Sequence, residues 1–253
     1  MLRHRVIPVV LLDGYAVVKT IKFDVRRNLG NPVTVARIYN TRNVDELVLL
    51  DIDASKEGRK IDLDTIHDVA SECFMPLTVG GGLSSVDDIG AALSSGADKV
   101  SLNTAALKNP ELIKQGAETF GCQCIVVSID VKRSPVGEAQ VYSHADAPCA
   151  LSLLEWAKQA EGLGAGEILL NAVDRDGVME GYDLPLIASL SEQVRIPIIA
   201  CGGAAVATDG AEAIRAGASA IAAASIFHFT SITPEDVKAE LAKPGFPTRQ
   251  LIR

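Results

Sequence analysis

Asp130 closes the apolar run 124–130, and a carboxylate at the tip of a buried strand is costly to keep unless it is used. It is the best candidate for a general acid or base. Asp51 and Asp53 stand at the end of a second run, and Asp176-Gly177 follows a third. Lys132 and Arg133 are the cations nearest in sequence to Asp130. Strand alternation puts Lys132 on its face and Arg133 on the other, so a salt-bridged strand end is the alternative reading. Asp174 and Asp176 flank Arg175, and on the simplest view they hold their own loop together.

A second kind of chemistry is carried by glycine. Gly80-Gly81-Gly82 and Gly202-Gly203 each follow an apolar run, and Asn103-Thr104 and Ala224-Ser225 follow two others. Glycine lets a backbone approach a ligand with bare amides, and a helix N-terminus behind it attracts an anion. Two such cradles suit a ligand with a phosphate at each end. The alternative is that the glycines only make tight turns. At the opposite ends of the runs stand Arg5, Glu46, Lys99 and Glu167, two charges of each sign. They read either as a closed ring of ion pairs or as ordinary charged strand ends.

The elements that must position these groups are regular. Eight short runs (6–12, 47–51, 77–79, 99–102, 124–130, 168–172, 198–200 and 220–223) are continuously apolar, as strands buried on both faces must be. Helical spacing lies between them, for example Val86, Ile89 and Leu93, with Ser84 as a cap and Asn109-Pro110 opening the next helix. Strand and helix alternating eight times predict a closed parallel (βα)8 TIM barrel, a single domain over residues 1–253, with reactive groups at the C-terminal ends of the strands. Gly81 and Gly202, Gly96 and Gly217, and Glu46 and Glu167 are each 121 residues apart, which predicts two fused half-barrels.

Composition excludes several classes. The chain has a net charge of -8 and is only 4% aromatic, which disfavours a nucleic-acid partner. No apolar run approaches the ~18 residues of a membrane span. The start, Met1-Leu2-Arg3-His4-Arg5, is basic, but the run behind it is short and enters Asp13-Gly14 directly, so it reads as a first strand and not as a signal peptide. Cys73, Cys122, Cys124, Cys149 and Cys201 have no paired spacing and read as reduced core thiols of a cytoplasmic protein, with no metal and no cofactor expected.

Taken together, segments spread along the whole chain resemble the cyclase subunit of imidazole glycerol phosphate synthase. They include 46–51, 78–82, 96–105, Ile129-Asp130, 164–170, Asp174-Arg-Asp-Gly177, Gly202-Gly203 and 227–229. The resemblance implies a glutaminase partner docked on the barrel floor and ammonia conducted to a site on top. It makes Arg5, Glu46, Lys99 and Glu167 the ammonia gate and Asp98 an interface position. Gly82, Asn103, Thr104, Asp176, Gly177, Gly203 and Ser225 match its phosphate-binding set, with Asn171, Gly202 and Ala224 as adjoining contacts for a phosphorylated small-molecule ligand. Asp130 matches its catalytic acid and Lys19 a mobile-loop lysine that touches substrate.

Departures cluster at the top. Where the family's first strand carries the aspartate that acts as general base, this chain has Leu11, and losing one of two acid/base groups costs about 10²–10⁴-fold in rate. Asp13, two residues on, shares the strand face but lies roughly 6.6 Å further along, and either it or Asp53 is the candidate for that role. Asp53 and Asn171 replace threonines, Cys201 a serine and Thr20 a glycine. The pattern is similar to a side branch of the family that serves a separate sugar amidotransferase in surface-polysaccharide biosynthesis, where ammonia turns an N-acetyl group into an acetamidino group. Three functional readings follow: an ammonia-conducting barrel for sugar amidation, a working cyclase with a replaced base, and a non-catalytic activator of a glutaminase.

Overall fold

A computed structural model describes residues 3–134, 136–143 and 151–249. Eleven strands run in chain order among them: β1 (Arg5–Asp13), β2 (Ala16–Ile21), β3 (Val25–Gly30), β4 (Leu47–Asp51), β5 (Leu77–Gly80), β6 (Lys99–Leu102), β7 (Ile125–Arg133), β8 (Ala139–Tyr142), β9 (Glu167–Ala172), β10 (Ile198–Cys201) and β11 (Ala220–Ala223). Eight of them pair in parallel in the order β1-β4-β5-β6-β7-β9-β10-β11, and β11 returns to β1 with Arg5 beside Ala220. The TIM barrel is closed, with helices between its strands.

Alternation explains why the runs look uniformly apolar. Ile7, Val9, Leu11, Val48, Val126, Leu169, Ile199 and Ala222 point inward and pack a core inside the barrel. Their neighbours Val6, Val10, Leu12, Leu47, Leu49, Val127, Ile168 and Leu170 point outward into a second core against the helices. Both faces are dry, so neither is marked by polar residues.

Three strands were not foreseen, and each prolongs the barrel sheet in antiparallel fashion. β1 runs on past the mouth and pairs with β2, Leu11 beside Val18, and β2 pairs with β3. β8 folds back on β7, with Tyr142 beside Asp130. Residues such as Lys19, Thr20, Arg26 and Arg27 supply no apolar run, so periodicity cannot mark these strands.

The helix caps shift slightly from expectation. Ser85, not Ser84, is the N-cap of helix Val86–Ser94, in a capping box with Asp88. Ser84 bonds to the same carboxylate. Pro110 is itself the N-cap of helix Glu111–Phe120. The expectation of core thiols also needs correction: Cys122 is exposed and Cys73, Cys124 and Cys201 are half-buried, while Cys149, like Met1 and Leu2, lies outside the described residues. No helix among the described residues is long and apolar enough to cross a membrane.

The 121-residue offset is repeated in detail. The Asp88 carboxylate accepts from the amides of Ser84 and Ser85, and that of Asp209 accepts from Ala205 and Val206. A Cβ at Gly82 would lie 1.9 Å from the Arg59 carbonyl oxygen, and one at Gly203 would lie 2.2 Å from that of Gly181. Each half therefore needs glycine where one loop crosses another's backbone.

At the floor, helix Pro234–Ala242 sends the buried Lys238 under the barrel, where its Nζ donates to Asp45 at 2.7 Å and to the Asn43 carbonyl at 2.6 Å. Asp45 also accepts from the Val6 amide at 2.8 Å. Lys238→Met would leave Asp45 buried without its cation, and we expect a loss of roughly 3–5 kcal/mol in urea unfolding.

Candidate functional site

The lower end of the barrel is a ring of charge. Arg5, the first residue of β1, bonds Glu46 at 2.6 Å and Glu167 at 3.1 Å, while Lys99, the first residue of β6, bonds both glutamates, Glu167 at 3.2 Å. Each cation bridges both anions, so the circuit closes. Burial alone would lower the Arg5 pKa, but Glu46 and Glu167 together outweigh it and hold the guanidinium above its ordinary value. Of the two sequence readings, the geometry shows the closed ring. Asp98, just before Lys99, is exposed, and its carboxylate accepts from the Leu77 amide at 2.8 Å.

Above the ring, β1, β4, β7, β9, β10 and β11 contribute the dry inner core. It opens upward into a chamber of about 150 Å³. Gly82, Asn103, Thr104, Asp130, Asn171, Asp176, Gly177, Gly202, Gly203, Ala224 and Ser225, foreseen from the sequence, all line this chamber, together with Leu11. Both glycine turns thus face one space.

Asp130 is brought there by the outer half of β7 and is 8% exposed. It has no cation in contact among the described residues. Lys132 instead lies over the Tyr142 ring at 5.4 Å, and Arg133 pairs with Asp183 at 2.8 Å. The salt-bridged strand end is therefore not what forms. Two amides grip the carboxylate: Asn103 Nδ2 at 2.6 Å and Asn171 Nδ2 at 3.2 Å. Burial pushes the Asp130 pKa up, the two amide hydrogen bonds pull it down, and the negative Asp176 adds a further upward push, leaving it at about 7. A carboxyl poised there can give or take a proton at neutral pH.

The other carboxylates of the mouth are occupied. Asp51 is held by Arg59 and Asp53 by Arg26. Asp13 is also held by Arg26, at 2.8 Å; its side chain is 42% exposed and it is not part of the chamber lining. Leu11 is 7% exposed and packs into the inner core, beside Val18 of β2 and Leu50 of β4.

Lys19 and Thr20 sit on β2, which folds over the mouth. Thr20 Oγ1 donates to Asp176 at 2.8 Å, Lys19 Nζ lies 3.4 Å from the same carboxylate, and the Lys22 amide donates to the Asp176 carbonyl at 2.9 Å. Lys19, expected to touch substrate, is 3% exposed. Asp176 therefore anchors the hairpin, a contact across 156 residues that its own loop did not reveal. Phe23, at the turn, lines the chamber and meets the Tyr142 ring at 6.5 Å. Sequence reasoning missed Arg26, Arg59 and Phe23. The only available signal was an unpaired acidic excess at the strand tips, which required cations from somewhere. The Cys201 thiol, at the tip of β10, is raised by burial and then by Asp176 to about 12, so it stays neutral.

A closed parallel barrel with a charged ring below and an acid-bearing, glycine-lined chamber above is a TIM barrel whose candidate site lies at the C-terminal ends of its strands. Comparison with known proteins narrows the class. The family model described as "Histidine biosynthesis protein" matches residues 5–233. A Campylobacter jejuni protein provisionally assigned as imidazole glycerol phosphate synthase subunit hisF2 is 49% identical over 251 residues, covering 99% of this chain and 100% of the relative. The imidazole glycerol phosphate synthase subunit HisF of Thermobifida fusca is 46% identical over 251 residues, covering 97% and 98%. The chain belongs to the histidine biosynthesis protein family, in its HisF-type group.

A carboxyl whose native pKa is raised destabilises the fold where the unfolded chain has already released the proton. For Asp130 that window runs from about pH 4 to about pH 7, with stability falling as pH rises through it. Asp130→Asn lacks this penalty. Its melting temperature relative to the parent should therefore climb across that window and level off above it, as read by calorimetry.

Proposed function

We propose that this barrel accepts ammonia from a glutaminase docked on its floor around Asp98 and delivers it at Asp130 for amidation of an N-acetyl sugar in surface-polysaccharide biosynthesis, with a separate sugar amidotransferase as partner. The observation that carries this reading is Leu11. The position where a cyclase needs its base is a leucine, Asp13 is ion-paired with Arg26 outside the chamber, and Asp51, Asp53 and Asp176 are all engaged. One acid remains where ring closure needs two.

Conduction follows from desolvation. Moving an ion into a dry interior costs several kcal/mol even after relaxation, whereas ammonia is neutral and small. The inner core supports passage of ammonia and opposes ammonium, provided the ring of Arg5, Glu46, Lys99 and Glu167 parts when the partner docks. In the chamber, Asp130 is the group able to exchange a proton with the arriving nitrogen.

A second reading, cyclase activity in histidine biosynthesis, is favoured by the 46% identity to HisF and by two glycine turns facing one chamber. Purified chain with an ammonium salt and the aminoimidazole ribonucleotide precursor separates the two. We expect little product, and Leu11→Asp should raise turnover by about 10²-fold or more. Robust turnover by the parent, unchanged by Leu11→Asp, overturns the amidation reading. With the glutaminase and sugar amidotransferase present, glutamine-driven amidation should require this chain.

A further inference from the structure

Directly across the chamber from Asp130 stands Leu11. One way round the barrel, the strand registers carry Leu11 through Leu50, Gly80 and Ser101 to Val126. The other way, they carry Arg5 through Ala220, Ile199 and Leu169 to Ser128, which sets position 134 level with Leu11. The two paths end eight residues apart, which is the shear of a (βα)8 barrel. Halfway between them, Asp130 lies opposite Leu11 at the same height.

The wall on the Leu11 side is apolar. Leu50, its neighbour on β4, lines the chamber with it, as do Phe23 from the hairpin turn and Met179 from the loop after β9. Phe23 and Met179 are held at φ of 64° and 56°, a left-handed backbone that residues other than glycine seldom adopt. The facing wall is polar, Asp130 with its two amides. A group that fills the space must present hydrocarbon to one side and a hydrogen-bonding atom to the other. Charge is placed just as unevenly. Asp51 and Asp176 of the lining are held by Arg59 and Lys19. Lys56, on the loop after β4, is the only lysine or arginine among the described lining residues; it is exposed and forms no ion pair with them.

We infer that the chamber is an acyl pocket, which takes the N-acetyl arm of the acceptor sugar with its methyl against Leu11 and Leu50 and its carbonyl oxygen accepting a hydrogen bond from the Asp130 carboxyl. The identity of the acceptor rests on the amidation reading above; the pocket itself does not. With the β2–β3 hairpin seated, about 150 Å³ admits such an arm, whereas sites for whole ligands run to 300–1,000 Å³. The sugar ring therefore stays at the opening, where Lys56 favours an anionic carrier. Leu11 then has a use of its own, as the contact that selects a methyl. Only the protonated acid can donate, so affinity falls as pH rises through about 7. Among the groups near that acid, Asp176 is charged, Asn103 and Asn171 are neutral and the Cys201 thiol stays protonated, while Lys132 and Arg133 on its own strand turn to Tyr142 and Asp183.

The pocket is tested on the full chain by titrating acetamide while the Leu11 and Leu50 methyl resonances are followed by NMR, with formamide as the control that lacks the methyl. We expect saturable shifts with acetamide, a nuclear Overhauser contact between its methyl and Leu11, and about fourfold weaker binding of formamide. N-acetylglucosamine 1-phosphate should bind and glucosamine 1-phosphate should not. Lys56→Gln should weaken the sugar phosphate and leave acetamide unchanged. Leu11→Asp should weaken acetamide at least tenfold, with Leu11→Ala as a milder second variant and melting temperature reporting folding of both. No saturable shift, equal binding of formamide, equal binding of the two sugar phosphates, or full acetamide binding in folded Leu11→Asp overturns the assignment. Glutamine-driven amidation by a chain that never binds acetamide would overturn the pocket and leave ammonia delivery standing. Acetamide binding by a chain that closes the imidazole ring robustly would do the reverse.

Discussion

Closing eight parallel strands into a cylinder makes an interior with almost no room and almost no water, and every charged group must then be placed at one end or the other. Val9, Val48, Val126, Leu169 and Ile199 fill the inside of this barrel, while its charges collect in two layers. At the floor they cancel in a ring of two cations and two anions. At the mouth they are mostly cancelled as well, except at Asp130, whose partners are neutral amides. The desolvation that keeps the centre apolar is the same force that raises this carboxyl to about 7. A dry core and a proton-exchanging acid are thus two consequences of one packing arrangement.

The residues read from the sequence as departures from the cyclase pattern form contacts with one another's surroundings. Thr20 supplies the hydroxyl that ties the β2–β3 hairpin to Asp176, Asp53 receives Arg26 from the same hairpin, and Asn171 supplies one of the two amides on Asp130. Leu11 extends the inner core upward to the level where a base would stand. These residues, spread over more than half the chain, meet around a single chamber: they seat a hairpin over it, line it with leucine and dress Asp130. The charged floor and the acid-bearing mouth are separable parts of this fold, because the inner core isolates them.

Much of the architecture was legible because burial on both faces writes itself as short continuous apolar runs, and eight of these led to the barrel and to the pole at which each charged residue lies. The two halves were legible too, since the 121-residue offset recurs in caps and loop crossings. The hairpin was not: Lys19 and Thr20 on β2 and Arg26 and Arg27 on β3 are polar, and they pair with one another beyond the barrel strands. Lys19 read as a ligand contact, and its bonds to Asp176 and to the Thr20 carbonyl, within the hairpin's anchor, were not legible. Lys132 and Arg133 looked like partners of Asp130 and turned to Tyr142 and Asp183, because the β7–β8 hairpin carries both away from the chamber.

By itself the sequence determined which residues are strands of the barrel, which carboxylates reach its mouth and which charges reach its floor, since period and alternation are local properties of the chain. Only the tertiary structure decided who partners whom: that the floor charges close into a ring, that Asp13 is drawn off by Arg26, and that Asn103 and Asn171 meet at Asp130. Those outcomes depend on distances between residues far apart in the chain, and desolvation assigns a carboxylate its proton only after its neighbours are in place.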